Sequence, residues 1–231
     1  MMKFKILLIF IYFVLSISFC NAQLVNDLKV NEDTNANIIN INSKFDINKN
    51  GESVIVWNSR NTSLLVSNII GQLFDSKLNK KGNNILLTNY SNDTCVTPDV
   101  CIGKNGNFAV VWQRNNSYVY NRTQIFFRLF DSNNIPLTNE LIINDTLKDF
   151  EGYPTIASDE SNGFIVVFVY PKSVGGTDVF YQRLDSLGNK IGNNVNVSLI
   201  GSVYISPIES GPKIAVRKDG SFIITWQDIR P

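Results

Sequence analysis

The chain contains no histidine. Any acid–base or nucleophilic work therefore falls to carboxylates, tyrosines, lysines or thiols, and Ser-His-Asp, Cys-His and HExxH arrangements are excluded. Glu151 and Asp228 are the carboxylates placed to act as an acid and base on a glycosidic bond, although no catalytic signature is shared between the segments that carry them. A second set suits recognition rather than turnover. Arg114, Tyr118, Tyr120 and Arg122 lie in one polar stretch, Tyr170 precedes Lys172 in another, and Asp228 and Arg230 close the chain. Phe150, Tyr153 and Tyr204 add aromatic faces in neighbouring loops. Such residues stack on and hydrogen-bond a sugar or a peptide, though ordinary loops carry the same types.

Other chemistry is weaker. Asp46-Ile-Asn-Lys-Asn50-Gly51 resembles the start of a calcium loop, but Trp57 stands where the twelfth-position acid belongs. A hairpin turn is the better reading, and neither a metal nor a cofactor is implied. Cys95 and Cys101 could close a small disulfide loop around Pro98. Cys101 also falls where other copies of a repeat have alanine, so a small buried thiol fits equally well. Asn61, Asn92, Asn115, Asn121 and Asn144 begin glycosylation sequons.

The elements that must position these residues begin after an address. Lys3 and Lys5 precede an apolar run from Ile6 to Phe19, and Cys20-Asn-Ala22 offers small residues for cleavage. Residues 1–22 read as a signal peptide and residues 23–231 as the mature, exported chain, with no later span able to cross a membrane. A formal net charge of +1 leaves no basic surplus for nucleic acid. Strand-forming and turn-forming residues dominate, which predicts a β protein with short loops.

The chain repeats itself. Pro98–Trp112, Pro154–Phe168 and Pro212–Trp226 align without gaps, and Ser43–Trp57 is an earlier copy. Each reads as an apolar hairpin with Asn50-Gly51, Asn105-Gly106, Asn162-Gly163 or Asp219-Gly220 at its turn. Third strands follow, ending at Asp75, Asp131 and Asp185, and fourth strands at Ile85–Thr88, Glu140–Ile143 and Val195–Ser198. Asn26–Asn31 reads as an orphan fourth strand.

Four antiparallel strands at this period predict blades of a β-propeller, with blades at about 43–89, 98–144 and 154–198 and a partial blade at 212–231. The expected architecture is all-β and an incomplete ring: an outer strand, three full blades and the first hairpin of a fourth. A third strand is missing after Trp226, so further blades are expected beyond this sequence. The pattern P-x-I-A-x-x-x-x-G-x-F-x-V-x-W, followed by strands ending in F-D-S or R-L-D-S, resembles the repeats of large secreted bacterial β-propeller proteins over about Asn26–Pro231. Trp226-Gln-Asp-Ile-Arg230 is similar to a W-x-D-x-R step in such repeats. Phe168 replaces the Trp, and Ser43 and Asp46 depart from the pattern. The resemblance implies the fold and supplies no catalytic residue.

The repeated residues have structural roles on this reading. Trp57, Trp112, Phe168 and Trp226 fill space between blades, while Asp75, Asp131 and Asp185 cap turns. The expected function is an exported, noncatalytic module that binds or scaffolds at the cell surface, with an extracellular glycan or protein as partner. The alternatives are a glycan-acting propeller hydrolase or lyase and a structural spacer.

Overall fold

The computed structural model describes residues 28–89, 93–116, 122–145, 152–171, 177–198 and 211–227. The expected signal peptide, Tyr118, Tyr120, Phe150, Glu151, Lys172, Tyr204, Asp228 and Arg230 lie outside these residues. The side chain of Arg122 is likewise outside the description, although its backbone begins a strand.

The described chain is all strand and turn. Blade one holds β1 (Ile38–Ile47), β2 (Ser53–Asn61), β3 (Val66–Phe74) and β4 (Lys80–Leu86). Blade two holds β5 (Thr94–Ile102), β6 (Phe108–Asn116), β7 (Arg122–Phe130) and the short β8 (Leu141–Ile142). Blade three holds β9 (Gly152–Ser158), β10 (Phe164–Pro171), β11 (Thr177–Leu184) and β12 (Lys190–Asn196). A hairpin, β13 (Lys213–Val216) and β14 (Phe222–Thr225), follows. Within each blade consecutive strands pair antiparallel. One parallel bridge, Ser67 to Thr94, joins the sheets of blades one and two. The result is an incomplete β-propeller whose sheets do not close.

Alternation along the second strands explains how the blades stack. In β6, Phe108, Val110 and Trp112 face blade one and join Val54, Val56 and Ile69 in one apolar cluster. Ala109 and Val111 face the other way and meet Phe164, Val166 and Phe168 of blade three in a second. Ile165, Val167 and Val179 then pack against Phe222, Ile224 and Trp226 in a third. Both faces of β6 and β10 are thus buried, which is why they read as continuous apolar runs. Trp57, Trp112 and Phe168 are buried, whereas Trp226 is half-buried.

Two differences from the expected strands have one cause. The inner strands start upstream of Pro98 and Pro154, because each carries a bulge there. Opposite Trp57 and Trp112, two residues stand against one: Asn42-Ser43 and Thr97-Pro98. A similar register shift falls at Tyr153-Pro154. A bulge tolerates proline because its N–H is not needed by the ladder. The fourth strands also begin earlier than expected, at Lys80 and Lys190, and Leu28–Asn31 forms no strand.

The disulfide reading is corrected. Cys95 and Cys101 are both free and buried. They lie six residues apart on β5, a span of roughly 20 Å in an extended strand, far beyond disulfide reach. The bulge between them also sends Cys95 into the cluster toward blade one and Cys101 into the cluster toward blade three. Burial pushes the Cys95 thiol up to about 11 and Cys101 well above its ordinary value.

The turns are built from side chains. Asp75 Oδ1 accepts from the backbone N–H of Lys77 and Asn79, each at 2.8 Å. Asp131 and Asp185 receive the same pair of bonds in their own turns. In the first hairpin, Asn48 Oδ1 accepts from the N–H of Asn50 and Glu52, so the atoms of the calcium-like sequence are spent on the turn. In the third hairpin the left-handed position is taken by Asn162 (φ 61°), not Gly163.

Candidate binding site at the axial mouth

The three bulges gather at one level of the inner strands. There they surround a cavity of about 410 Å³, lined by Asn42, Ser43, Lys44, Thr97, Pro98, Asp99, Tyr153, Pro154, Gly211, Pro212 and Lys213. The lining comes from the same repeat positions in all four copies, so this is the mouth of the blade axis.

Its backbone is strained in a repeated way. Asn42 (φ 54°), Thr97 (φ 46°) and Tyr153 (φ 53°) all occupy the left-handed region at equivalent positions. That conformation is unfavourable for side-chain-bearing residues, above all β-branched Thr97. Such strain persists only where surrounding structure imposes it, and it clusters at functional sites. The fourth copy has Gly211 at this position. A Cβ there would sit 2.7 Å from the Tyr153 Cβ, so glycine permits the close approach of hairpin β13–β14 to the third bulge.

The next repeat position carries the polar groups. Lys44, Asp99, Thr155 and Lys213 are equivalent residues on four successive inner strands. Asp99 Oδ2 accepts from Thr155 Oγ1 at 2.6 Å and from the Ile156 N–H at 3.0 Å. The carboxylate thereby ties blade two to blade three. Lys44 and Lys213 are exposed, and neither makes an ion pair among the described residues. Partial burial holds the Tyr153 phenol above its ordinary value.

At the opposite end of the inner strands a smaller cavity, about 250 Å³, is lined by the hairpin turns. Asp46 lies there, with Oδ2 accepting from the Ile102 N–H at 2.9 Å and Oδ1 from the Ile47 N–H at 2.8 Å. Burial pushes its carboxyl up, against these bonds, and nearby Asp99 adds to the effect. Lys104 pairs with Glu160 across adjacent turns. No cluster of three or more Cys, Asp or Glu side chains suited to a metal occurs among the described residues.

Of the residues singled out for ligand contact, Tyr153 lines the axial mouth. Arg114 and Tyr170 do not. Arg114 is held within blade two: its guanidinium stands 4.0 Å over the Phe126 ring and pairs with Glu140 at 2.5 Å. Tyr170 holds the equivalent place in blade three, its ring 5.3 Å from that of Phe180. Both strands run further than expected before their loops begin, so these side chains fall within the sheet.

Lys44 and Lys213 were missed by sequence reasoning because each is a lone lysine within a strand. Their signal is positional: the residue two places beyond the bulge start in each copy.

The same repeat logic shows latches between blades. Asp145, just after β8, donates its N–H to Asn194 Oδ1 and accepts from the Asn194 N–H, both at 2.7 Å, and it pairs with Lys190 at 2.8 Å. Glu32, Asn84 and Lys80 repeat the arrangement on blade one. At the seam of blades one and two, Glu140 occupies the asparagine position, accepts from the Asn89 N–H and turns its charge inward to Arg114.

No protein-family model matches the sequence, and no curated protein matches it significantly. Solved structures do match. A family 117 glycoside hydrolase, Zg3597, from Zobellia galactanivorans is 13% identical over 87% of this chain and 74% of its own, with a TM-score of 0.51. The endo-arabinase from Bacteroides thetaiotaomicron is 14% identical over 76% of this chain and 66% of its own, with a TM-score of 0.46. The β-propeller domain of the Trilobed protease from Pyrococcus furiosus, of open velcro topology, is 10% identical over 84% of this chain and 58% of its own, with a TM-score of 0.41. At such identities the likeness is one of fold.

Proposed function

We propose that the chain is an exported, noncatalytic β-propeller module that binds an extracellular glycan or peptide at its axial mouth. One observation carries the reading: four copies of the repeat deliver strained bulges, an aromatic ring and two lysines with no ion pair among the described residues to a single cavity. The size suits a mono- or disaccharide or a short side chain. The carboxylate at the mouth, Asp99, is engaged in holding adjacent blades together. Export rests on the N-terminal segment, and no helix among the described residues is long and apolar enough to cross a membrane.

A second reading is a glycan-acting hydrolase. It draws support from the fold shared with the family 117 glycoside hydrolase and from Glu151, which adjoins the strand carrying Tyr153. Calorimetric titration with a saccharide and peptide panel, run beside a reducing-end assay, separates the two. Saturable binding that weakens in Tyr153→Ala, without product, is the expected result. Product release abolished by Glu151→Gln would establish the hydrolase instead.

A further inference from the structure

We propose that the axial mouth selects an anionic saccharide, one bearing a carboxylate or a sulfate ester; this rests on the binding reading above. The charge at the mouth is what points there. Three ionisable groups stand at one level around the axis: Lys44, Asp99 and Lys213. Asp99 Oδ2 is already engaged by the Thr155 hydroxyl and the Ile156 N–H, so two ammonium groups face one carboxylate that is bonded elsewhere. Lys44 and Lys213, from the first and last inner strands, have no carboxylate within ion-pair distance among the described residues. Lys80, Lys81, Lys104 and Lys190, by contrast, each reach an acid.

The geometry suits a charged sugar more than a charged peptide. The Tyr153 side chain contributes an aromatic ring to the wall, and Pro98, Pro154 and Pro212 contribute rigid apolar faces. Sugar rings stack on such surfaces while their hydroxyls reach backbone groups. Pro98 and Pro154 remove an N–H at two of the bulges, and the mouth offers its positive charge through the two ammonium groups. An ammonium is a compact, flexible donor that reaches carboxylate and sulfate oxygens alike. The two lysines line the one cavity from the first and last inner strands, so an acidic sugar seated there meets positive charge from both sides.

The test uses the full secreted chain and three probes: digalacturonate, a sulfated galactose disaccharide and uncharged galactobiose. Titration calorimetry is run at low salt and at about 0.5 M salt, where exposed charge attraction is screened. The expected result is that one acidic probe binds at least about tenfold more tightly than galactobiose, the order expected for a charge-assisted contact. Which acidic probe wins tells carboxylate from sulfate. The advantage disappears in Lys44→Gln/Lys213→Gln and at high salt, with unchanged thermal unfolding. Lys49→Gln, one such charge change made at the opposite end of the inner strands, leaves it intact.

Equal affinity for galactobiose and the acidic probes, insensitive to the double substitution, overturns charge selection and leaves the binding reading standing. Loss of selectivity in Lys49→Gln as well overturns a local site in favour of overall charge. A folded chain that binds none of the three overturns the inference, and a peptide panel then decides whether the binding reading survives.

Discussion

The front of blade one and the front of blade two carry the same repeat positions and meet opposite fates. Val100 and Ile102 on β5 are 4% and 6% exposed, because blade one covers them. Their equivalents on β1, Phe45 and Ile47, are 73% and 54% exposed. The residues are alike in hydrophobicity and alike in strand position. What differs is the neighbour. In stacked repeats burial is conferred by the adjacent copy rather than by the position itself, so the same apolar residue is core in one blade and surface in the next.

The largest test of that comparison is a charge placed on each face. Val100→Asp should cost about 4 kcal/mol or more, since the carboxylate would be buried without a partner, whereas Phe45→Asp should stay within about 0.5 kcal/mol. Urea unfolding of both variants checks this. Similar losses at the two positions would mean that the blade-one front is covered in solution.

A smaller difference is expected at the paired tryptophans. Trp112→Ala should cost about 3–5 kcal/mol, as for a large buried aromatic. The substitution to phenylalanine is more telling. Trp57 Nε1 donates to Asn40 Oδ1 at 2.9 Å. Cys95 occupies the equivalent of Asn40, and the buried Trp112 Nε1–H has no hydrogen-bond partner among the described residues. Trp57→Phe should therefore cost about 1 kcal/mol more than Trp112→Phe, the net value of one hydrogen bond. Phe168 already fills this place in blade three.

Gly211→Ala tests whether the last hairpin shapes the mouth. Its new Cβ collides with Tyr153, so saccharide affinity should fall several-fold while the clusters between blades one, two and three persist. Titration alongside circular dichroism measures both effects.

The smallest effect concerns acid. Hydrogen bonds from Asn79 and Asn189 hold Asp75 and Asp185 below the ordinary value of 3.8. Lowered folded values mean that the contribution is fully present above about 3.8 and is lost as pH falls through them. Asp75→Asn/Asp185→Asn should lower stability slightly at neutral pH and flatten its decline below pH 4, as followed by thermal unfolding.

Much of the fold was legible because it is periodic. The aromatic ends, the glycine-bearing turns and the continuous apolar runs of β6 and β10 placed the blades and their buried strands. The bulges were not legible. Proline reads as a strand start when only the ladder is considered, and Pro98 instead lies inside β5. Starting the strand at Pro98 also left Cys95 in a loop, where it looked like a partner for Cys101. For the site, Tyr153 was visible as a loop aromatic near the axis. Lys44 and Lys213 were not, since their meaning depends on four inner strands meeting. Arg114 looked free because its partner, Glu140, lies 26 residues away on the far side of the blade.

The blade seams differ in a way that makes ionic strength a selective wedge. Between blades two and three the outer latch is Asp145 with Lys190, whose side chains are 36% and 32% exposed. Between blades one and two Glu140 accepts from the Asn89 N–H, and its charge is met within blade two by Arg114, the Arg114 and Glu140 side chains being 13% and 7% exposed. Mobile ions reach the first pair and are largely kept from the second. Raising salt thus loosens one side of the second blade and spares the other, giving a modular protein a preferred place to hinge.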